Sequence, residues 1–295
     1  MEGCVLCPRL CGADRGAAAG ICGMPDIITA AAAFPHFWEE PCISGTGGSG
    51  AVFFSGCPLG CVFCQNEKIS RGRFGKPLSG EGLMRVFDRL LEQGAHNLNL
   101  VSPTPYAEIL ARVLEQYRSP VPVIYNCGGY ERVETLRRLE GLVDIWLPDI
   151  KFFDSAVSAK YAGAPDYFEA ASSAVLEMQR QQGTLVLGRD GLAVKGLLIR
   201  HLVLPGNLAQ TGKILRWVSE NLPRETFVSL MSQYTPCGTA ALGLPLSRQL
   251  SAREYRIAKE MFARFGFVNG YVQDPASAGS ECVPAFRLEG LEETI

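Results

Sequence analysis

The sequence predicts an α/β protein whose strands and helices alternate into an open (βα)6 barrel, and three observations lead to this fold class. Six short apolar runs follow one another after residue 50. Amphipathic patterns of helical period separate these runs. The repeated strand–helix order favours a parallel sheet with helices outside, which right-handed crossovers would curl into a partial TIM barrel.

Each predicted strand is an apolar run that ends at glycine, proline or polar residues. The strands are predicted at residues 51–55, 97–101, 121–125, 143–147, 197–203 and 227–231. Ser79 is the expected cap of the first barrel helix, and Gly94 is its expected stop. The later helices are predicted at residues 106–117, 133–139, 167–181, 208–221 and 252–265, with a hairpin at 183–196.

The first fifty residues do not follow this alternation. They hold four clustered cysteines and end in the glycine-rich segment 45–50, which has the composition of a linker. We therefore predict a cysteine-rich N-terminal extension and linker at residues 1–50. The barrel core, with a C-terminal helix and tail, is predicted at residues 51–295.

Composition limits the classes of function. Hydrophobic residues make up 47% of the 295 residues and the net charge is −2, which is ordinary for a globular protein and argues against bulk nucleic-acid binding. The apolar stretch 27–34 is too short to cross a bilayer, and the N-terminus lacks the basic and apolar regions of a secretory signal. We expect a cytoplasmic protein with neither a membrane nor a nucleic-acid partner.

The sharpest motif is a set of three cysteines directly after the first predicted strand. Cys57, Cys61 and Cys64 have the spacing C-x3-C-x2-C on a loop rich in glycine and proline. Thiolates suit iron–sulfur clusters, and three ligands on a four-iron cubane leave one iron open for a substrate. A structural zinc knuckle or free thiols would be the alternative, but a closed zinc site needs a fourth ligand nearby.

Polar residues follow the ends of the other predicted strands, where parallel barrels carry their active sites. These residues include Ser102, Thr104, Asn126, Asp149, Lys151, Arg200 and Gln233. Their shared position predicts one pocket beside the cysteine loop. For the charged residues among them, an internal salt-bridge network is the alternative. Strand alternation turns only one of Arg200 and His201 inward.

The loop and its flanks resemble the radical S-adenosylmethionine superfamily. The resemblance lies in the cysteine spacing, in Phe63 before the last cysteine, and in residues 53–57 (FFSGC) and 64–70 (CQNEKIS), which are similar to the branch related to pyruvate formate-lyase activating enzyme. It implies a [4Fe–4S] cluster and S-adenosylmethionine as cofactors. One-electron reduction would cleave S-adenosylmethionine into methionine and a 5′-deoxyadenosyl radical that abstracts hydrogen.

The resemblance also implies which residues bind the cofactor, namely Phe63, Ser102, Thr104, Asn126, Asp149, Lys151, Arg200 and Gln233. Ser102 and Thr104 lie where relatives have a Gly-Gly-Glu segment for the methionine amino group, so this chain departs from the pattern there. Asn126 matches a residue that contacts the methionine part, and Lys151 matches one that faces the carboxylate. Arg200 matches a similar strand arginine, which favours Arg200 over His201 as the inward residue.

A second cysteine set lies near the N-terminus. Cys4, Cys7, Cys11 and Cys22 have the spacing C-x2-C-x3-C-x10-C, a four-thiolate pattern that could hold zinc or a second cluster. A similar array occurs in members of the same branch. A cysteine-rich loop without metal is the alternative.

The resemblance favours an activase, an oxidoreductase that abstracts hydrogen from a glycine of a partner glycyl radical enzyme. Its other partner would be a low-potential electron donor such as flavodoxin or ferredoxin. Radical modification of another peptide or of a small molecule is the second hypothesis. A non-catalytic iron–sulfur or zinc-binding module is the third.

Overall fold

The structure, a computed structural model, describes residues 3–238, 243, 245–274 and 285–291. Within these residues the strands are β1 (Ile28–His36), β2 (Ser49–Phe54), β3 (Lys76–Leu78), β4 (Leu98–Val101), β5 (Val123–Cys127), β6 (Ile145–Pro148), β7 (Val186–Leu187), β8 (Ala193–Leu202), β9 (Phe227–Met231) and β10 (Gly270–Val272). The helices are α1 (Pro41–Ser44), α2 (Glu67–Ser70), α3 (Gly80–Glu92), α4 (Ala107–Tyr117), α5 (Val133–Arg137), α6 (Ser155–Ala162), α7 (Tyr167–Gln182), α8 (Leu208–Asn221) and α9 (Ala252–Arg264).

The strands form one sheet in the order β10-β9-β8-β6-β5-β4-β2-β1-β3, with β7 paired to β8 alone. The neighbours from β2 through β9 along this order are parallel, and they correspond to the six predicted strands. The predicted α/β fold, an open (βα)6 barrel, is therefore confirmed. β10 extends the sheet in parallel at one edge, while β1 and β3 are antiparallel at the other.

The first barrel helix forms where the sequence predicts it. The Ser79 hydroxyl accepts a hydrogen bond from the Gly82 amide at 3.0 Å, which satisfies one of the free amides at the start of α3. The apolar residues Leu83, Val86, Phe87 and Leu90 of α3 are buried at helical spacing. Burial of this stripe against the sheet is what orients the helix.

The predicted hairpin is also present, although it is continuous with a barrel strand. Val186 in β7 pairs with Lys195 in the first part of β8, antiparallel. β8 then runs on to Leu202 as a parallel strand. The predicted strand at 197–203 therefore begins four residues earlier, at Ala193, because the second arm of the hairpin and the barrel strand are one element.

The structure differs from the sequence prediction in the first fifty residues. The alanine-rich segment Ile28–His36 is a buried strand that pairs with β2. Ser49 and Gly50, placed in the predicted linker, belong to β2. A Cβ atom on Gly50 would lie 2.6 Å from the Asn97 carbonyl oxygen. Glycine is therefore needed here so that the backbone at Asn97 can pack against β2, and not to make a flexible linker. A domain boundary at residue 50 stays a prediction.

Helices cover the outer face of the barrel strands. One apolar cluster packs α3 and α4 against the strands through residues such as Phe54, Phe87 and Tyr106. A second cluster packs α7 and α8 around Trp146 and Leu197. Because the helices pack on the outer face, the barrel mouth at the carboxyl ends of the strands is left for polar side chains.

Among the described residues, no helix combines the length and apolar character that a bilayer span requires.

Candidate functional site

The cysteine loop leaves β2 through a tight turn at Gly56. This residue has φ of +81°, and a Cβ atom here would lie 2.1 Å from Cγ of Met24, so only glycine fits without displacement. Two backbone hydrogen bonds to the end of α6 hold the loop, from the Gly60 amide to the Ala162 carbonyl and from the Val62 amide to the Tyr161 carbonyl. The loop is therefore anchored from the opposite side of the barrel mouth.

Cys57, Cys61 and Cys64 all line one cleft of about 230 Å³ at the carboxyl ends of the barrel strands. The sequence-predicted residues that line the same cleft are Phe63, Ser102, Asn126, Asp149, Lys151, Arg200 and Gln233. They come from six separate parts of the chain, and the parallel strands bring them together because the carboxyl ends of these strands meet at one edge.

Thr104 is the one predicted residue that the structure places elsewhere. Its buried hydroxyl donates to the Glu131 carboxylate at 2.6 Å. The chain turns at Ser102, which has a left-handed backbone with φ of +59°, and a short 3-10 turn follows. Thr104 therefore lines a second cavity, beside the N-terminal cysteines.

A network of charged and amide side chains forms one wall of the cleft. Asp149 accepts hydrogen bonds from Lys151 and, at 3.0 Å, from Nε of Arg200. Arg200 also donates to Asn126 and, at 2.9 Å, to Glu39. The salt-bridge network that the sequence offered as an alternative is therefore present, and its members also line the cleft.

Glu39 is a site residue that sequence reasoning missed. Its carboxylate accepts hydrogen bonds from Arg200, from the Asn99 amide at 3.0 Å and from the Asn126 amide at 3.1 Å. It follows β1, in the segment that the sequence assigned to an extension. The antiparallel pairing of β1 with β2 carries Glu39 to the cleft, and no local pattern in the sequence indicates that pairing.

Opposite charges keep this wall ionised in spite of its burial. Burial by itself would raise the pKa of Asp149, but Lys151 and Arg200 outweigh it and hold that pKa below its usual value. Burial likewise works against the charge of Lys151, yet Asp149 and the nearby Cys61 thiol raise its pKa. The cleft therefore presents two cations beside an ionised Asp149, and Arg200 also contacts Glu39.

Burial keeps the thiols of the cysteine loop protonated when no metal is bound. Burial, and then repulsion from the neighbouring thiols, raises the pKa of Cys57 far above its usual value, and burial raises that of Cys61 to about 12. Metals bind the thiolate form, so the bound group must itself supply the positive charge that stabilises the thiolates.

Three cysteines on one loop suit an iron–sulfur cluster, because a cubane takes its thiolates at separate iron atoms. Cys57, Cys61 and Cys64 all line one cleft, and they are the residues that would hold such a cluster. Across the part of the chain that the structure describes, no group of three His, Cys, Asp or Glu side chains is arranged as a site for a single metal ion.

Aromatic side chains form the apolar base of the loop. Phe63 is buried and contacts the rings of Phe152 and Tyr234 edge-on, with centroids 6.0 and 6.1 Å away. Trp38, which is about half exposed, also lines the cleft. The loop is thus backed by packed aromatic rings.

Arg200 and His201 point to opposite faces of β8, as strand alternation predicts. The buried His201 lies on the side away from the cleft, with its ring nitrogens 2.7 Å from the Ile150 carbonyl and 2.9 Å from the Thr211 hydroxyl. Burial lowers the pKa of His201 to about 4, so the ring is neutral near pH 7. The inward residue is Arg200.

The structure also brings the four N-terminal cysteines together. Cys4, Cys7, Cys11 and Cys22 all line one small cavity, with Pro58 of the cysteine loop as part of its wall. The second set is thus adjacent to the first in space, although thirty-five residues of sequence separate Cys22 from Cys57.

A family model described as a 4Fe-4S single cluster domain matches residues 43–162 of the chain. This match begins at α1, contains the cysteine loop and ends with α6. It agrees with the cluster chemistry that the spacing and burial of the loop cysteines favour.

Similar proteins include the uncharacterized protein MJ0674 of Methanocaldococcus jannaschii, which is 28% identical over 276 residues, 90% of this chain and 75% of its own length. Among solved structures, a domain of pyruvate-formate lyase-activating enzyme from Bacteroides vulgatus has a TM-score of 0.40 at 14% identity, covering 58% of this chain and 91% of that one. Streptococcus suis SuiB bound to S-adenosylmethionine has a TM-score of 0.45 at 14% identity, covering 74% and 45%.

The parallel barrel, the three-cysteine loop at its mouth and the matched cluster domain all agree with the resemblance of the sequence to the radical S-adenosylmethionine superfamily.

Proposed function

We propose that Cys57, Cys61 and Cys64 hold the [4Fe–4S] cluster and that the adjoining cleft binds S-adenosylmethionine. The observation that carries this proposal is that the three thiols and the network of fixed charges line the same cleft. A substrate bound there would contact the cluster and the charged wall at the same time. When bound, the cluster supplies the electron that cleaves S-adenosylmethionine.

The charges of the cleft match those of the ligand. S-adenosylmethionine carries a carboxylate, an amino group and a sulfonium. Lys151 and Arg200 are the cations available for the carboxylate, while Asp149 and Glu39 offset them and favour the amino group. Asn126 donates to Glu39 and accepts from Arg200, so it holds both ions in position. Charge-assisted bonds of this kind give orientation as well as affinity.

Other residues of the cleft exclude water from the reacting atoms. Leu59, Phe63 and Leu202 line it with apolar surface. A radical formed in a dry site is protected from side reactions, which is the role that the protein plays in cofactor chemistry. The backbone at Ser102, which also lines the cleft, offers carbonyl oxygens near the amino group in place of a carboxylate.

For the substrate, we propose a glycyl radical enzyme, from which this chain abstracts a glycine hydrogen. Two features support this: the resemblance of residues 53–57 and 64–70 to the activase branch, and the half-exposed Trp38 that lines the cleft. An exposed aromatic side chain in a cleft suits a polypeptide partner. The electron donor would be a flavodoxin or a ferredoxin.

The test is anaerobic incubation of reconstituted enzyme with S-adenosylmethionine and a strong reductant, followed by chromatography for 5′-deoxyadenosine and methionine. Both products are expected. A glycyl radical enzyme from the same genome is then added, and electron paramagnetic resonance should detect a protein glycyl radical. Cleavage without that signal would retain the cofactor chemistry and reject the activase. Absence of 5′-deoxyadenosine under all conditions would reject the proposed function itself.

A further inference from the structure

The N-terminal segment brings four thiols around one cavity. Cys4, Cys7, Cys11 and Cys22 all line it. A Cβ atom on Gly20 would lie 3.3 Å from the sulfur of Cys11 and 3.7 Å from that of Cys22, so the two sulfurs flank the same point. The amide of Cys4 donates to the Ala13 carbonyl and its carbonyl accepts from the Gly12 amide, which folds the segment back on itself.

This segment lacks the usual means of folding. Within the described residues 3–27 there is no helix or strand. Four of its apolar side chains, Val5, Leu10, Ile21 and Ile27, are more than half exposed, and Met24 is the residue that anchors the segment in the barrel core. A short segment without an apolar core needs a covalent or metal cross-link to hold one conformation. In a reducing compartment four thiols serve as metal ligands rather than as disulfides.

The segment is in direct contact with the cysteine loop of the barrel. A Cβ atom on Gly56 would lie 3.0 Å from the carbonyl oxygen of Cys22, and Gly56 is the neighbour of Cys57. Arg9 donates to the Pro58 carbonyl at 2.8 Å. Cys22 and Cys57 also line a common surface groove. Cys22 lies against Gly56, and consecutive Cα atoms are about 3.8 Å apart. Cys22 and Cys57 are therefore within a few residue lengths of each other.

The ligand number of the N-terminal set is complete. Four thiolates are a full ligand set for an iron–sulfur cluster. Of the two metals that four thiolates commonly hold, zinc has no redox chemistry, so only a cluster could exchange electrons with the neighbouring cysteine loop, which lies in a region matched by a model of the single 4Fe–4S cluster type.

We infer that Cys4, Cys7, Cys11 and Cys22 hold a second iron–sulfur cluster, and that this cluster passes electrons to the barrel cluster. This inference rests on the proposed function, because it supplies the electron that the proposed chemistry consumes. One electron leaves a reduced flavin or iron–sulfur protein, resides on the N-terminal cluster and moves to the barrel cluster. The N-terminal cluster returns to its starting state, and no bond forms or breaks in the transfer.

Metal content tests the site without any activity measurement. Wild-type protein reconstituted anaerobically should hold roughly eight irons, and the variant Cys57→Ala, Cys61→Ala, Cys64→Ala should keep roughly four, since each cluster takes four. The variant Cys7→Ser, Cys11→Ser should also keep roughly four, those of the barrel. Zinc in place of iron in the three-alanine variant, or no metal there, would overturn the inference.

Proximity of the clusters is tested on wild-type protein. Two paramagnetic clusters in close contact broaden each other's resonance, so the reduced wild type should show a broadened spectrum. Each single-cluster variant should show a narrow one. A wild-type spectrum equal to the sum of the two variant spectra would exclude a direct transfer route.

The electron route is tested with two donors. In the variant Cys7→Ser, Cys11→Ser, reduced flavodoxin should support no cleavage above the donor-free background, while dithionite, a small reductant, should still reduce the barrel cluster directly. Equal loss with both donors would show that the N-terminal site is needed for the barrel itself. Equal activity with both would reject the relay. Wild-type protein that never cleaves S-adenosylmethionine would instead reject the proposed function.

Discussion

The two cysteine sets of this protein are held by different physical means. The barrel loop is anchored between β2 and the end of α6, with buried aromatic rings behind it. The N-terminal segment has no regular secondary structure in its described part and is tied to the barrel by two arginines. Arg9 donates to the carbonyls of Pro58, Ala162 and Gly163, and Arg15 to those of Met24, Pro25 and Pro105.

The two cysteine sets also differ in the number of thiols. Three thiols face an open cleft with charged walls, whereas four thiols surround a small cavity. An incomplete ligand set leaves a position for substrate, and a complete set leaves none. The comparison teaches that one chain can carry one set of thiols on a barrel scaffold and another on a segment with little core of its own.

The largest expected effect comes from removing the barrel ligands. The variant Cys57→Ala, Cys61→Ala, Cys64→Ala should lose all cleavage of S-adenosylmethionine, because no cluster remains beside the charged wall. Production of 5′-deoxyadenosine is the measurement. Cys42→Ala is the matched control, since Cys42 is buried in another apolar cluster. Residual 5′-deoxyadenosine from the three-alanine variant would place the reactive cluster elsewhere and reverse the comparison.

Acid should destabilise the barrel through a buried group that the N-terminal segment lacks. Burial lowers the pKa of His201 from 6.5 to about 4, so the unfolded chain binds the proton more tightly. The stability is fully present above pH 6.5 and is lost as the pH falls towards 4, by up to about 3 kcal/mol.

Denaturant unfolding at pH 7 and pH 5 measures this dependence. His201→Gln removes the titrating group, so its loss of unfolding free energy between the two pH values should be smaller than that of the wild type. Because the variant is compared with itself at pH 7, its lost hydrogen bonds cancel. An equal pH dependence in both proteins would assign the acid sensitivity to other groups.

Removal of the cations of the cleft should separate cluster binding from cofactor binding. Lys151→Ala and Arg200→Ala should each keep the iron of the barrel loop but bind S-adenosylmethionine more weakly. A bond to a charged group contributes roughly 1.5–3 kcal/mol, so affinity should fall roughly tenfold or more. Equilibrium binding under anaerobic conditions measures it, with the exposed Arg253→Ala as the control. Unchanged affinity in both variants would mean that these charges serve the barrel alone.

The smallest expected effect concerns the attachment of the N-terminal segment. Arg15 is buried and donates to three carbonyls at 3.1, 2.6 and 2.7 Å. Arg15→Ala should therefore lower the free energy of local opening of the segment by about 1–2 kcal/mol. Hydrogen exchange of residues 3–26 should accelerate. The half-buried Arg9→Ala should have a weaker effect and the exposed Arg216→Ala none. Exchange that is unaltered by Arg15→Ala would show that contacts other than those of Arg15 hold the segment.

Much of the barrel was predictable because its elements are local. The Ser79 cap, the apolar stripe of α3 and the boundaries of α8 at Leu208–Asn221 all follow from residues that are neighbours in sequence. The predicted strand at residues 227–231 is β9 without change. Periodicity and capping depend on interactions between residues a few positions apart. Such interactions can therefore be predicted without knowing how distant segments meet.

What the sequence could not show arises from contacts between distant segments. The strand β1 consists largely of alanines, which carry little strand preference, and its pairing with β2 brings Glu39 to Arg200. The turn at Ser102 takes Thr104 away from the cleft, towards the N-terminal cavity. Neither event leaves a local pattern.

The sequence by itself determined the fold class, the three-cysteine loop and the polar strand ends, because periodicity and ligand spacing are properties of consecutive residues. Only the tertiary structure decided that Glu39 completes the charged wall and that the two cysteine sets are neighbours. The close approach of Cys22 to Gly56 joins residues thirty-four positions apart. Such contacts depend on how the whole sheet closes, and the free energy that selects them is spread over the entire core.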